Sequence, residues 1–151
     1  MQIGIDMMGG DFAPLEAVKG LELLFKELPT AKNTIVCIGR SNELLPLLTE
    51  YNVQDSVNIV HAEEVIGYNE HPTKALKEKQ QSSIAIGFHL LVTGKIDAFI
   101  SAGNTGAMLV GAMFSIKAIE GVQRPTIATI IPKINGGTGL LLDVGLNADC
   151  K

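Results

Sequence analysis

Two kinds of hydrophobic pattern alternate along the chain. Short, continuous apolar runs predict β-strands at residues 3–6, 34–39, 57–61, 96–100, 126–131 and 139–144. Apolar residues at helical spacing, together with helix start and stop signals, predict helices over residues 14–28, 41–48, 84–93 and 105–119. The segment 73–81, in a polar and irregular region, is predicted as a charged helix. Strands that alternate with helices form parallel sheets, so the pattern predicts an α/β fold with helices on both faces of the sheet.

Several helix boundaries carry local signals. Pro14 suits a first helical turn, and Ser41 is placed to cap the second helix with its hydroxyl. Pro46 costs that helix one hydrogen bond unless it lies in the first turn. Ser82 or Ser83 is placed to cap the helix that leads to the fourth strand.

The last two strands are separated by the sequence PKINGGTG. The pair Asn135-Gly136 tolerates positive φ, which predicts a hairpin turn. The apolar stretch 96–119 contains Asp97 and Lys117 as well as several glycines, whereas a membrane span needs about 20 predominantly apolar residues. A strand followed by a helix is therefore the prediction for this stretch, and the 151 residues are expected to form one domain, 1–151.

Composition narrows the classes of partner. With 46% hydrophobic and 19% charged residues, the chain is expected to fold around a sizeable core. Its net charge of −4 argues against general nucleic-acid binding, which needs an excess of Lys and Arg. Cys37 and Cys150 have no metal-ligand spacing, and the first residues lack a signal-peptide pattern. We therefore expect a cytoplasmic protein, without a metal or cofactor, that binds a small molecule or a protein.

Three loops follow predicted strands, at residues 7–11, 101–106 and 144–149. Ligands of open α/β sheets bind outside the carboxyl ends of the strands. If the three strands are neighbours in the sheet, the three loops form one pocket.

The loop SAGNTG, residues 101–106, has the composition of an anion site. Its glycines let backbone N–H groups approach a ligand, and a helix that begins at Thr105 adds partial positive charge. Asn104 can donate an amide hydrogen bond, and Ser101 or Thr105 a hydroxyl. A tight turn whose polar residues only cap the helix is the alternative interpretation, and it is the one that the loop alone favours, because single-loop motifs often match by chance.

Other chemistries have weaker support. The first strand is followed by MMGGD, which lacks the G-x-G-x-x-G spacing of a dinucleotide site. The three histidines share no metal-ligand spacing, and no G-x-S-x-G nucleophile motif is present.

Four segments together resemble the PlsX-type phosphate acyltransferases, which make acyl-phosphate from acyl-acyl-carrier-protein and inorganic phosphate. They are DMMGGDFAP (6–14), SSIAIGFHLLVTGKIDAFISAGNTGAML (82–109), RPTIATIIP (124–132) and LLLDVGLNADCK (140–151). The resemblance implies a three-layer α/β/α sandwich with a mostly parallel sheet, similar to isocitrate and isopropylmalate dehydrogenases and phosphotransacetylases. Family members are considerably longer, so the chain is expected to be an N-terminal portion.

The resemblance also suggests roles for particular residues. Asn104 and Asp11 are the predicted catalytic residues, Asn104 towards the phosphate or developing oxyanion and Asp11 as the group that orients a donor. The predicted phosphate- or substrate-binding residues are Gly9, Gly10, Ser101, Gly103, Thr105, Gly106, Lys79, Ser82, Asp143 and Asn147. Lys77 and Lys79 occupy the place of an expected basic pair, although a solvated helix face also explains them. Turn capping explains Asp143 and Asn147 almost as well as substrate binding does.

The implied partners are acyl-acyl-carrier-protein, inorganic phosphate and a second copy of the chain in a homodimer. The resemblance also implies a role in bacterial phospholipid synthesis, with peripheral binding to the membrane or contact with a downstream glycerol-phosphate acyltransferase. Two alternatives stay open: a phosphotransacetylase-like enzyme that uses acyl-coenzyme A, and a non-catalytic domain that binds a phosphate ligand.

Overall fold

The computed structural model describes residues 1–122 and 125–144. Its strands are β1 (Ile3–Asp6), β2 (Ile35–Gly39), β3 (Val57–His61), β4 (Ala98–Ile100), β5 (Ala128–Pro132) and β6 (Thr138–Leu142). Its α-helices are α1 (Leu15–Glu27), α2 (Ser41–Glu50), α3 (Pro72–Glu78), α4 (Ser83–Val92) and α5 (Thr105–Ser115). Two single turns of 3₁₀-helix, Pro29–Ala31 and Gln54–Ser56, precede β2 and β3.

The first four strands form one parallel sheet in the order β3-β2-β1-β4. Ile3 of β1 lies opposite Ile35 of β2 on one side and Ala98 of β4 on the other. Because the strands are parallel, their carboxyl ends lie at the same edge of the sheet. The loops after β1 and β4 are therefore neighbours, as the candidate pocket requires.

Helices cover both faces of this sheet. Alternate residues of β2 divide between two cores, with Ile35 and Cys37 in the cluster formed with α1 and α2. Val36 and Ile38 belong to the cluster that includes Leu90 of α4. All five residues of β2 are buried because neighbouring strands flank it and helices cover both faces. The predicted three-layer α/β/α fold is confirmed.

Two glycines let the helices on the second face pack closely. A Cβ atom on Gly87 of α4 would overlap the ring of Phe99, and one on Gly111 of α5 would overlap the ring of Phe88. The two phenyl rings meet edge to face, with centroids 5.4 Å apart and planes at 73°. Through these contacts α4 lies against β4 and α5 lies against α4, which fixes the start of α5 near the end of β4.

The predicted hairpin is confirmed as an antiparallel pair, β5 with β6. Gly136 in its turn has a φ of 78°, in the region that favours glycine. Among the described residues, this hairpin forms a separate two-stranded sheet and does not hydrogen-bond to the parallel sheet. The strand before the third predicted loop is thus not a hydrogen-bonded neighbour of β1 or β4.

Several boundaries differ from the sequence prediction. Ser41 is not the cap of α2 but its first residue, and its backbone N–H donates to Nδ1 of His61. Pro46 lies inside α2, beyond the first turn, so that helix forgoes one hydrogen bond. Helix α5 ends at Ser115, four residues earlier than predicted, and Lys117 then takes a left-handed φ of 69°. No helix within the described ranges is long and apolar enough to cross a membrane.

Candidate functional site

A buried carboxylate joins the two loops at the carboxyl edge of the sheet. Asp6 ends β1 and is only 3% exposed. Its Oδ1 accepts a hydrogen bond from the backbone N–H of Met8 at 2.9 Å, and its Oδ2 accepts one from Oγ of Ser101 at 2.7 Å. Oγ of Ser101 in turn accepts a bond from the backbone N–H of Gly103 at 3.0 Å. The carboxylate of Asp6 thus links the loop after β1 to the loop after β4.

The same two loops meet through glycine backbones. A Cβ atom on Gly9 would lie 2.6 Å from the backbone nitrogen of Gly103 and 2.7 Å from Oδ2 of Asp6, so the position has no room for a side chain. Gly10 has a φ of 118°, which disfavours any other residue. The prediction that these loops come together is confirmed, and their contact depends on the absence of side chains.

Helix α5 begins beside this contact. Thr105, its first residue, is exposed, and a Cβ atom on Gly106 would lie 2.5 Å from Cγ of Pro72. Gly106 therefore lets the start of α5 approach the start of α3. The first N–H groups of a helix have no intrahelical acceptor and carry partial positive charge, so an anion near the glycine loops would be favoured.

Asn104 holds this helix start in place. Its side chain is 5% exposed, and its Oδ1 caps α5 by accepting from the backbone N–H of Ala107 at 2.9 Å. Its Nδ2 donates to the backbone oxygens of Gly67, Tyr68 and Glu70, at 2.9, 3.3 and 3.3 Å. These contacts support a positioning role for the Asn104 amide, and its predicted catalytic role stays a prediction.

The segment 67–71, called here the bridging loop, connects the region after β3 to the site. Tyr68 donates its hydroxyl to the backbone oxygen of Ala102 at 3.2 Å. Oε1 of Glu70 accepts from Nζ of Lys79 and from the backbone N–H of Gly67, both at 2.6 Å. The hydrogen bond from Lys79, followed by that from the Gly67 amide, lowers the pKa of the Glu70 carboxyl from its ordinary value.

Three other predicted residues have different surroundings. Asp11 is exposed in the turn before α1, close in sequence to the glycine contact. Ser82 is fully buried, where its hydroxyl donates to the backbone oxygen of Lys79 at 2.7 Å and caps α4 by accepting from Ala85 N–H. These contacts confirm Ser82 as the helix cap, while its predicted substrate role stays a prediction. Lys79 is directed at the bridging loop.

Two predicted residues lie near the end of the chain. Asp143 follows β6 with a φ of 61°, and its backbone N–H donates to the oxygen of Ile127 at 2.7 Å. Asn147 lies outside the described residues. The structure brings Gly9, Gly10 and the 101–106 loop together, and the roles of Asp143 and Asn147 stay predictions.

The two lysines of the expected basic pair are separated by their contacts. Lys77 lines an apolar cleft of about 360 Å³ between α3, α4 and α5, together with residues such as Phe88 and Phe114. Lys79 instead donates to Val65 and Glu70. They therefore do not present their charges to a common ligand in this structure.

Sequence reasoning missed Asp6, Tyr68 and Glu70. For Asp6 a signal existed, because it is the one charged residue of an otherwise apolar strand and directly precedes the first glycine loop. For Tyr68 and Glu70 no local signal existed, since they follow β3, the strand farthest from β4. Within the described ranges, no group of three or more His, Cys, Asp or Glu side chains is arranged to hold a metal ion.

Comparison with known proteins gives one consistent result. A model of the family described as "Fatty acid synthesis protein" matches residues 1–151. The phosphate acyltransferase of Dictyoglomus turgidum is 43% identical over 152 residues, which cover 100% of this chain and 44% of that protein. That of Thermoanaerobacterium thermosaccharolyticum is 43% identical over 100% of this chain and 43% of its own, and that of Idiomarina loihiensis is 40% identical over 99% and 44%. The chain thus spans less than half the length of these relatives. The predicted resemblance is confirmed, and the chain belongs to the fatty acid synthesis protein family.

Proposed function

We propose that this chain forms part of an enzyme that transfers an acyl group from the thioester of acyl-acyl-carrier-protein to inorganic phosphate. The product, acyl-phosphate, would serve bacterial phospholipid synthesis. The observation that carries the proposal is the contact of two glycine loops at the carboxyl edge of the sheet, beside the N-terminus of α5. The name phosphate acyltransferase, which the matched relatives carry, supports the same reaction.

The reaction requires little chemistry from the side chains of the protein. A phosphate oxygen attacks the thioester carbonyl, the new C–O bond forms, the C–S bond breaks, and the thiol leaves with a proton. Phosphate is itself the nucleophile, so the protein must hold it against the carbonyl and stabilise the oxyanion that develops. Backbone N–H groups fixed in glycine loops and at a helix start are suited to both tasks.

The proposed roles follow from this chemistry. The backbones of Gly9 and Gly10 form one wall of the phosphate site, and that of Gly103, whose N–H already donates to Ser101, forms the other. The backbone N–H groups of Thr105 and Gly106 contribute the partial positive charge of the helix start. Ser101 keeps the two walls together through Asp6. Asp11, which is exposed next to the glycine contact, would orient a hydrogen-bond donor towards the incoming substrate.

Family membership also supports proposals about the surroundings of the reaction. These are a homodimer, a cytoplasmic location, and a transient contact with the membrane surface or with a glycerol-phosphate acyltransferase that consumes the product. The matched relatives, on which these proposals rest, are more than twice as long as this chain.

The test is thiol release from long-chain acyl-acyl-carrier-protein by the complete gene product, with and without inorganic phosphate. We expect release that depends on phosphate and is accompanied by an equal amount of acyl-phosphate. Faster release from acyl-coenzyme A than from the carrier protein would favour a phosphotransacetylase-like enzyme instead. Phosphate binding without cleavage of either thioester would refute catalysis and leave a phosphate-binding domain.

A further inference from the structure

The ammonium group of Lys79 donates hydrogen bonds to acceptors within the chain. Its Nζ donates to the backbone oxygen of Val65 at 2.8 Å and to Oε1 of Glu70 at 2.6 Å, and about two-thirds of the side chain is covered, with 31% exposed. An ammonium group has three N–H donors, so two of them have acceptors within the chain. This arrangement is a poor one for capturing free phosphate, because the neighbouring carboxylate already neutralises the cation.

Through Glu70, the ion pair restrains the bridging loop. The oxygen that receives Lys79 also accepts the backbone N–H of Gly67, which closes the loop on itself. Asn104 also binds Gly67 and Glu70, by donating to their backbone oxygens. The loop is therefore fixed between a lysine that follows α3 and the cap of α5.

The constrained loop touches the candidate phosphate site. Tyr68 of this loop donates its hydroxyl to the backbone oxygen of Ala102. Ala102 lies between Ser101, which bonds to Asp6, and Gly103, which contacts Gly9. A displacement of the bridging loop therefore acts directly on the backbone of the β4–α5 loop.

We propose that Lys79 is a positioning residue that acts through Glu70, and that the pair holds the bridging loop against the 101–104 loop. The inference rests on the proposed function, because it assigns Lys79 to the geometry of that site and not to phosphate contact. The two roles predict opposite effects of removing Glu70. If Lys79 bound phosphate, loss of Glu70 would free the cation and strengthen phosphate binding, whereas loss of Lys79 would weaken it.

The kinetic test compares Lys79→Ala, Glu70→Ala and the double variant in the complete gene product. We expect each single variant to lower kcat for phosphate-dependent thiol release about tenfold, because a small misplacement of reacting groups is costly. We expect the KM for phosphate to change in the same direction in both single variants, and the double variant to match the singles, since both changes break one interaction. Lys79→Arg, which keeps a cation able to donate to both oxygens, is expected to restore most of the activity.

A matched control is available on α1. Lys26 donates to Glu22 at 2.7 Å in an exposed ion pair near the C-terminal end of that helix, which lies away from the carboxyl edge of the sheet. Lys26→Ala removes one charge in the same way and should leave kcat unchanged. A loss of kcat in this control equal to that in Lys79→Ala would overturn the positioning role.

Hydrogen–deuterium exchange of residues 67–71 gives a readout that does not depend on catalysis. Exchange in this segment should be faster in Lys79→Ala and Glu70→Ala and unchanged in Lys26→Ala. Unchanged exchange in both site variants, or a lower KM for phosphate in Glu70→Ala beside a higher one in Lys79→Ala, would overturn the inference. Absence of phosphate-dependent release in the unmodified protein would refute the proposed function alone, because the exchange measurement would still decide whether the pair holds the loop.

Discussion

Replacement of Gly9 by alanine adds one methyl group at the place where the two glycine loops meet. The new Cβ would lie 2.6 Å from the nitrogen of Gly103, about 0.8 Å closer than the 3.4 Å at which ordinary van der Waals contact begins. The obstacle is backbone, which cannot rotate away, so the loops after β1 and β4 must separate by a comparable distance. Overpacking of this kind costs about 1–3 kcal/mol of stability. A misplacement near 1 Å in an active site costs on the order of 10²-fold in rate.

We therefore expect Gly9→Ala in the complete gene product to fold, with a lower melting temperature, and to lose about 10²-fold in phosphate-dependent thiol release. Gly20→Ala is the matched control, because no atom other than its chain neighbours and the nearby backbone of its own helix lies within 4 Å of the added Cβ. It lies within α1, where alanine in place of glycine should raise stability by roughly 0.5–1 kcal/mol without an effect on rate. If Gly9→Ala kept activity within about twofold of the unmodified protein, the assignment of the phosphate site to this loop contact would be refuted.

Three further predictions concern other parts of the chain. Asn104→Ala removes the cap of α5 and leaves loop carbonyls without their donor, so the free energy of unfolding in urea should fall by about 1–3 kcal/mol. Because the loops of the site are then misplaced, the rate should fall by roughly 10²-fold, and a loss below about tenfold would contradict its positioning role. Burial raises the pKa of the Cys37 thiol to about 12, so labelling of the Cys37 peptide by an aromatic disulfide at pH 8, followed by mass spectrometry, should be slow until urea unfolds the protein. Because Lys79 and the Gly67 amide lower the pKa of Glu70, the protection of the bridging loop against hydrogen exchange should persist above the ordinary carboxyl pKa and fall as the pH drops through the lowered value. Loss of that protection on the alkaline side of neutrality, with no loss in acid, would contradict this account.

The hydrophobic pattern predicted the layers of the fold but not the order of its strands. Apolar runs such as 35–39 show both faces buried, which is enough to predict helices on both sides of a sheet. Nothing local says that β4 pairs with β1 and not with β3, because that choice depends on where the long connection through α3 and α4 crosses the sheet. The sequence therefore predicted contact between the loops after β1 and β4 only on the condition that these two strands are neighbours in the sheet.

The same limit applies to individual side chains. The sequence predicted Asn104 as a polar residue at a helix start, and its cap to Ala107 follows from local rules. Its bonds to Gly67 and Glu70 depend on a segment 34 or more positions away, which no spacing rule could identify. Lys79 was predicted to bind phosphate or substrate, but in the structure it pairs with Glu70. A charged residue in a polar segment gives no sign of which partner will neutralise it.

The hydrogen bond between Asp6 and Ser101 joins residues 95 positions apart in the chain. Contacts of such long range form slowly, since a large loop must close before they contribute any stability. During synthesis, β1 can pair with β2 long before β4 has left the ribosome, and one edge of β1 remains open for that interval. An open strand edge is a template for pairing with other chains. The order of the strands therefore leaves one edge of β1 unpaired from the synthesis of β2 until that of β4, an interval in which the nascent chain can pair with other chains.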